Sequence, residues 1–383
     1  MHRILNVKRV YTPLTIVDSA SIVIENGIVK KIVRGWIENG ENLKDFIAVP
    51  GFVDTHIHGC YGYDASNAKL DDLVGMSKNL VRHGVTSFLP TTVTLPLQKI
   101  FEAIDAVRKA REMQLRNDFV GARILGINLE GPFINVEMKG AQNPEYIRIP
   151  KLDEFKSIVD RARDVVKVVT VAPELGEGLE IVSYARSMGI HVSLGHSAAG
   201  YDEALKAIER GLDRATHLFN AMKRFHHREP GAVLALLQSP SVYLEIIADF
   251  IHLHPAVVKM IIEYAGWRRT VLITDAISAT GLPDGEYELG GLKVIVRNGI
   301  ARLVDGTLAG STLTMDRAIR NVVSLGIELW KAIAMASYVP ARSIDEYRLG
   351  CLEPGCVADI VLLDEDLNVV KTIVGGVDAY EKP

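Results

Sequence analysis

Cysteine is scarce: the chain of 383 residues has three, Cys60, Cys351 and Cys356. So sparse and odd a set excludes a disulfide-built scaffold. It fits a reducing compartment in which all three are ordinary core or loop residues, with a Cys351–Cys356 pair as the alternative that an oxidising or thermophilic setting would allow. Long apolar runs are also missing. The longest stretches, such as residues 231–237, fall far short of the ~20 residues that span a bilayer. The first nine residues lack the apolar core of a secretory signal. The expectation is a cytoplasmic protein with no membrane partner. An excess of one charge is absent too, with 43 basic against 47 acidic side chains and a formal net charge of −4. That balance leaves no broad basic surface for nucleic acid, although a few local arginines would suffice for a small anionic substrate. Glutamine is rare as well, at four residues, a composition that leans toward heat adaptation.

What the chain does have is apolar mass. Hydrophobic residues make up 48 % and charged residues 23 %, enough for a sizeable core, and the length suits a large barrel plus an accessory domain. Both ends read as strands. Around Asn26-Gly27, two β-rich runs flank a dipeptide suited to the positive φ angles of a tight hairpin turn, and residues 358–363 and 369–374 have the same character. The expectation is one small β-sandwich domain built from residues 1–49 and 344–383.

Between them, residues 50–343 alternate short β-branched runs with amphipathic segments. The runs are 51–58, 86–92, 123–130, 166–171, 191–196, 214–219, 243–248 and 270–275, and helices are expected over 97–115, 179–188, 201–210 and 255–264. Eight β-then-α units predict an α/β fold with a closed (β/α)₈ TIM-like barrel. The competing open, doubly wound sheet would want a Gly-rich phosphate turn after an early strand, and none is present. Residues 285–304, with Asn298-Gly299, read as an extra hairpin, and helices are expected over 314–324 and 328–337.

In such barrels the chemistry lies where the strands end. The first run ends in Asp54-Thr55-His56-Ile57-His58, placing two histidines on one face of a strand. Glu130, His196, His217, Asp249 with His252, and Asp275 lie at or just beyond the ends of five other runs. Each alone has a structural explanation; six such groups on one rim point to a shared site. Histidine and carboxylate donors without cysteine suit a divalent cation, Zn²⁺ first, with Fe²⁺ or Mn²⁺ as alternatives. The implied chemistry is metal-assisted hydrolysis of an amide or related bond.

The stretch Pro50-Gly51-Phe52-Val53-Asp54-Thr55-His56-Ile57-His58-Gly59 resembles the opening motif of the amidohydrolase superfamily. Leu129-Glu130-Gly131-Pro132-Phe133, Thr216-His217-Leu218-Phe219-Asn220-Ala221-Met222, Arg228-Glu229-Pro230-Gly231 and Leu308-Ala309-Gly310-Ser311-Thr312-Leu313-Thr314-Met315 resemble its N-acetylglucosamine-6-phosphate deacetylase family. The resemblance spans nearly the whole chain and implies a hydrolase acting on a phosphorylated amino sugar. It implies Glu130, His196 and His217 as principal metal ligands. His56 and His58 would serve a second ion bridged by Glu130, with Asp275 as a further ligand and the catalytic acid/base. Ala141, Gln142, Asn220, Ala221, Arg228, Asp249, His252, Leu308, Ala309 and Gly310 are implied as substrate contacts, with Arg228 reaching a neighbouring subunit in a homodimer. Galactosamine-type or unphosphorylated substrates on the same scaffold, and a non-catalytic relative, are the alternatives. One position departs: the family has histidine where this chain has Gln142, whose amide donates a hydrogen bond but carries no charge.

Overall fold

The computed structural model describes every residue except 1, 14 and 163. Eight parallel strands form the central sheet: Phe52–Ile57, Val85–Thr92, Ile127–Glu130, Val166–Val171, His191–Leu194, Arg214–Ala215, Tyr243–Ile247 and Thr270–Ile273. Each pairs with its neighbours in chain order. Strands with helices packed outside and barrel side chains inside read as largely apolar runs; the second, Val85–Thr92, also buries the polar Thr86, Ser87, Thr91 and Thr92. The ladder has one open seam, between the eighth strand and the first, and it closes at the mouth. The Asp275 N–H donates to the His56 carbonyl at 2.9 Å, and the His58 and Gly59 N–H groups both donate to the Ala276 carbonyl at 2.9 Å. Buried Asp54 reinforces the seam by accepting the Thr274 hydroxyl at 2.5 Å. Burial pushes the Asp54 carboxyl up to about 7 against the lowering effect of that bond.

The helices follow from apolar spacing. In Leu152–Ala162, Phe155, Ile158, Val159 and Ala162 are buried, the i, i+3, i+4, i+7 stripe of a helix docked on a sheet. Leu97–Leu115 matches the expected range to the residue, and Gly178–Ser187, Tyr201–Glu209, Pro255–Ala265, Met315–Ser324 and Leu329–Ala336 match to within a residue or two. The apolar stretch at 231–237 is the buried helix Gly231–Gln238.

Four expectations change. The sixth run, expected over 214–219, is a strand only over Arg214–Ala215. The third run is two strands, Arg123–Ile124 and Ile127–Glu130, broken where a Cβ on Gly126 would lie 2.3 Å from the Val165 carbonyl oxygen. The expected hairpin at 285–304 is a three-stranded antiparallel meander, Gly285–Leu289, Leu292–Arg297 and Ile300–Leu303. Gly290-Gly291, at φ +56° and +83°, supplies a turn in addition to Asn298-Gly299. Cys351 and Cys356 are joined by a disulfide, so only Cys60 is a plain buried cysteine. The chain passes from the barrel floor to the terminal sheet there, and the intervening turn brings the two Cα atoms to 6.0 Å.

Both chain ends form one seven-stranded sheet, in the order Val377–Glu381, Val369–Val374, Ile360–Leu363, Glu41–Pro50, His2–Tyr11, Ile16–Glu25 and Ile28–Arg34. It encloses a core of its own from Leu5, Val7, Ile22, Ile24, Ala48, Ile360, Leu362 and Ile373. The alternate residues Val361 and Leu363 join the barrel's core instead, so the strand alternation welds the small domain to the barrel. Ala341, Ile344 and Leu349 close the barrel floor against Val53, Leu89, Leu125 and Val168, leaving the opposite rim as the open end.

Candidate active site

The strand ends deliver the ionisable groups to that rim. His56 lies within the first strand, His58 just past it, and Glu130 ends the third; all three are buried. His196, His217 and Asp275 leave their strands in the left-handed region, at φ +48°, +28° and +49°. Non-glycine residues there carry strain of about 1–3 kcal/mol each. Three such residues in one cluster mark a site whose geometry is imposed by the surrounding fold.

The side chains converge on Glu130. Its Oε1 lies 2.9 Å from His217 Nε2, 3.1 Å from His196 Nε2 and 3.5 Å from His56 Nε2. Its Oε2 lies 3.3 Å from His58 Nε2. Asp275 Oδ1 stands 3.0 Å from His58 Nε2 and 3.4 Å from His56 Nε2. All four histidines turn the other nitrogen outward to an acceptor. His56 Nδ1 meets Glu245 Oε2 at 3.1 Å, His58 Nδ1 the Thr91 carbonyl at 3.0 Å, His196 Nδ1 the Met138 carbonyl at 2.9 Å and His217 Nδ1 the Asn220 carbonyl at 3.2 Å. Such partners fix the Nδ1–H tautomer and aim the Nε2 lone pair inward, the arrangement of metal-ligating histidines. His56 Nε2 and Asp275 Oδ1 are buried with no hydrogen-bond partner.

Two trios, His56–His58–Glu130 and Glu130–His196–His217, have donor atoms close enough to hold a cation. The donor set therefore fits one or two divalent ions, with Glu130 shared. The electrostatics agree. Burial works to raise the Glu130 carboxyl, yet His56, His196 and His217 hold it well below its ordinary value. Burial works to lower His58, but the Asp275 and Glu130 carboxylates beside it push it up to about 10. Burial likewise opposes the anion at Asp275, and His58 and His56 keep it ionised. The pocket concentrates negative charge that protons or a cation must balance.

The cluster floors a cavity of about 220 Å³. Of the expected contacts, Ala141, Gln142, Asn220, Ala221, His252, Leu308 and Gly310 line it, together with His58, Glu130, His196, His217 and Asp275. His56 lies behind, against the cluster. Asp249 holds His252 by Oδ2 to Nδ1 at 2.7 Å. Burial opposes both charges, but each draws the other toward the ion pair, so Asp249 is lowered and His252 raised. Ala309 is fully buried beside the rim. Arg228 is not in the cavity of its own chain: it is exposed, its guanidinium 2.9 Å from His227 Nε2, on a separate surface depression with Lys223 and Glu229.

Gln142 is held at both ends of its amide. Its Oε1 accepts the Thr94 N–H at 2.6 Å and its Nε2 donates to Glu130 Oε2 at 2.7 Å. The side chain thus grips a candidate ligand from the cavity wall. Sequence reasoning missed Val93, Leu289 and Thr307 in the lining, and Glu245 behind His56. A lone carboxylate inside the apolar strand Tyr243–Ile247 was the available signal for Glu245.

Residues 47–377 match the model of the Amidohydrolase family. The chain is 38% identical over 367 residues, 94% of its length and 90% of the relative's, to an N-acetylglucosamine-6-phosphate deacetylase of Vibrio furnissii. It is 36% identical to an N-acetylgalactosamine-6-phosphate deacetylase of Escherichia coli O157:H7, covering 98% of this chain and 99% of that one. A mutant N-acetyl-D-glucosamine-6-phosphate deacetylase of Mycobacterium smegmatis, solved in complex with N-acetyl-D-glucosamine-6-phosphate, superposes at TM-score 0.93 with 32% identity, over 99% of both chains.

Proposed function

This chain belongs to the amidohydrolase family, and we propose that it hydrolyses the N-acetyl group of N-acetylglucosamine 6-phosphate to glucosamine 6-phosphate and acetate. The observation that carries the reading is the inward-facing set of four Nδ1-anchored histidines around Glu130, with the unpartnered Asp275 Oδ1 among them.

Glu130, His196 and His217 would hold one divalent ion, with Zn²⁺ best suited to the donors, and His56 and His58 with Glu130 a second. Such an ion supplies Lewis acidity toward the amide carbonyl and lowers the pKa of water at the site. Asp275, kept ionised by its histidine neighbours, takes a proton from the attacking water as the new C–O bond forms at the acetyl carbon. It returns that proton to the nitrogen as the C–N bond breaks, so that the sugar leaves as a neutral amine rather than as an amide anion, a very poor leaving group. Asn220, the Ala221 backbone and His252 face the same cavity and are suited to the sugar's hydroxyls. Arg228, outside its own chain's cavity, suits the 6-phosphate of a partner's site, the arrangement of a homodimer.

The test is a substrate panel on protein stripped of metal and reloaded with zinc: the 6-phosphates of N-acetylglucosamine and N-acetylgalactosamine, and unphosphorylated N-acetylglucosamine. The expected outcome is zinc-dependent acetate release, greatest on the first. A preference for the galactosamine epimer would move the reading to that relative's substrate, and release undiminished in stripped protein would overturn the metal chemistry.

A further inference from the structure

We propose that the tip of the inserted meander, Leu289 beside Val93, is an acyl-length gauge: an apolar wall that accepts the acetyl methyl and refuses longer acyl chains. The proposal rests on the deacylase reading above and names what sets its acyl specificity.

The two oxygens of Glu130 divide the cavity. Oε1 faces His196 and His217, and Asn220 follows three residues after His217, so this end carries polar groups suited to a hydroxylated sugar. Oε2 faces His58 and Gln142. Gln142 is bonded to the N–H of Thr94, the neighbour of Val93, which puts Val93 and Leu289 at the second end. An acyl carbonyl placed between Glu130 and Asp275, with its sugar toward Asn220, turns its methyl toward that apolar end.

The wall is built without slack. The strand Gly285–Leu289 is partly exposed along its length except at Leu289, which is 3 % exposed, and Val93 is 2 % exposed. The turn that follows is Gly290-Gly291. A Cβ on Gly290 would stand 2.5 Å from Val93 Cγ2, and both glycines have positive φ. Gly290, with no side chain, lets the turn sit against Val93, next to Leu289 in the cavity lining, while nothing lies within 4 Å of a Cβ on Gly291.

The experiment compares kcat/KM for N-formyl, N-acetyl, N-propionyl and N-butyryl glucosamine 6-phosphate in the wild type, Leu289→Ala, Val93→Ala and Leu289→Phe. Binding of glucosamine 6-phosphate, which has no acyl group, is measured alongside. In the wild type each methylene beyond acetyl is expected to cost about tenfold or more. Leu289→Ala and Val93→Ala should raise the butyryl-to-acetyl ratio at least about tenfold while product affinity stays unchanged, and Leu289→Phe should shift preference toward N-formyl. Should Leu289→Ala fold poorly, Leu289→Val reads the same ratio with a smaller change. An acyl series of unchanged slope in all variants would overturn the gauge and leave the deacylase reading intact. A wild type that cleaves no N-acyl sugar phosphate would overturn that reading, and the gauge with it.

Discussion

The barrel buries ionisable groups at two levels, and they are built differently. In the lower layer Arg214 is fully buried. It donates to Glu245 Oε1 at 2.7 Å and Thr55 Oγ1 at 3.0 Å through Nη2, and to the Ser343 carbonyl at 3.0 Å and the Ser343 hydroxyl through Nη1. Only its Nε lacks a partner. At the rim, the nearest neighbours of the histidine Nε2 atoms are carboxylate oxygens, and His56 Nε2 and Asp275 Oδ1 make no hydrogen bond at all. A buried charge with nearly every partner supplied by the fold is architecture; a cluster whose open valences all point one way is a receptor. Glu245 joins the two levels, one oxygen on Arg214 and the other on His56 Nδ1.

The largest effect expected tests the rim. Asp275→Asn should keep the fold, the metal and substrate binding yet lower kcat by ~10²–10⁴, the worth of a general acid–base group. Stopped assays with metal content measured in parallel check it. A near-normal kcat with full metal would remove Asp275 from the chemistry and make His252, across the same cavity, the first candidate base.

The next tests the lower layer. Arg214→Met strands the buried Glu245 carboxylate and should cost about 3–5 kcal/mol of stability, read from urea unfolding. Arg214→Met with Glu245→Met should recover much of that, because neither charge is then stranded. The double variant should still bind metal about 10–100-fold more weakly, since His56 loses the acceptor that fixes its tautomer. Metal affinity that recovers together with stability would mean that the two levels are independent.

How far the sequence carried this distinction depends on where each residue lies. Strand-end positions were legible: a β-branched run fixes where the strand stops, and barrel geometry fixes which end is open, so Glu130, His196, His217 and Asp275 could be assigned to one rim from the sequence alone. Leu97–Leu115 was legible for a similar reason, a long amphipathic period with little competing signal. Arg214 and Glu245 were not, because a charge inside an apolar strand gives no sign of its partner until the neighbouring strand's register is known. Val93 and Leu289 were hidden differently: each is an ordinary apolar residue at the edge of a strand, and only the path of the meander brings them together. The Cys351–Cys356 bond depended on the turn between them, and composition argued against it. Arg228 was singled out by its motif, and the fold of one chain leaves it outside the cavity.

The smallest effect, and the one that bears most on the boundary between the two levels, belongs to Gln142. It lies in the rim cavity but is satisfied like a lower-layer group, accepting from Thr94 N–H and donating to Glu130 Oε2. If its work is to position Glu130, the two contacts should be separable. Gln142→Leu loses both and leaves a buried N–H unpaired, so about 1–3 kcal/mol should be lost between stability and metal affinity. Gln142→His retains a ring nitrogen for one contact at most, and should lose about 0.5–1.5 kcal/mol, the net worth of one hydrogen bond. Both losses should appear in metal affinity as well as in kcat, because Glu130 is a candidate ligand of both ions. If instead kcat falls in Gln142→Leu while metal affinity and stability hold, the second amide hydrogen acts directly on the substrate carbonyl, and Gln142 belongs wholly to the receptor. If only stability falls, it belongs to the architecture, and the grip on Glu130 is a consequence of packing rather than its purpose.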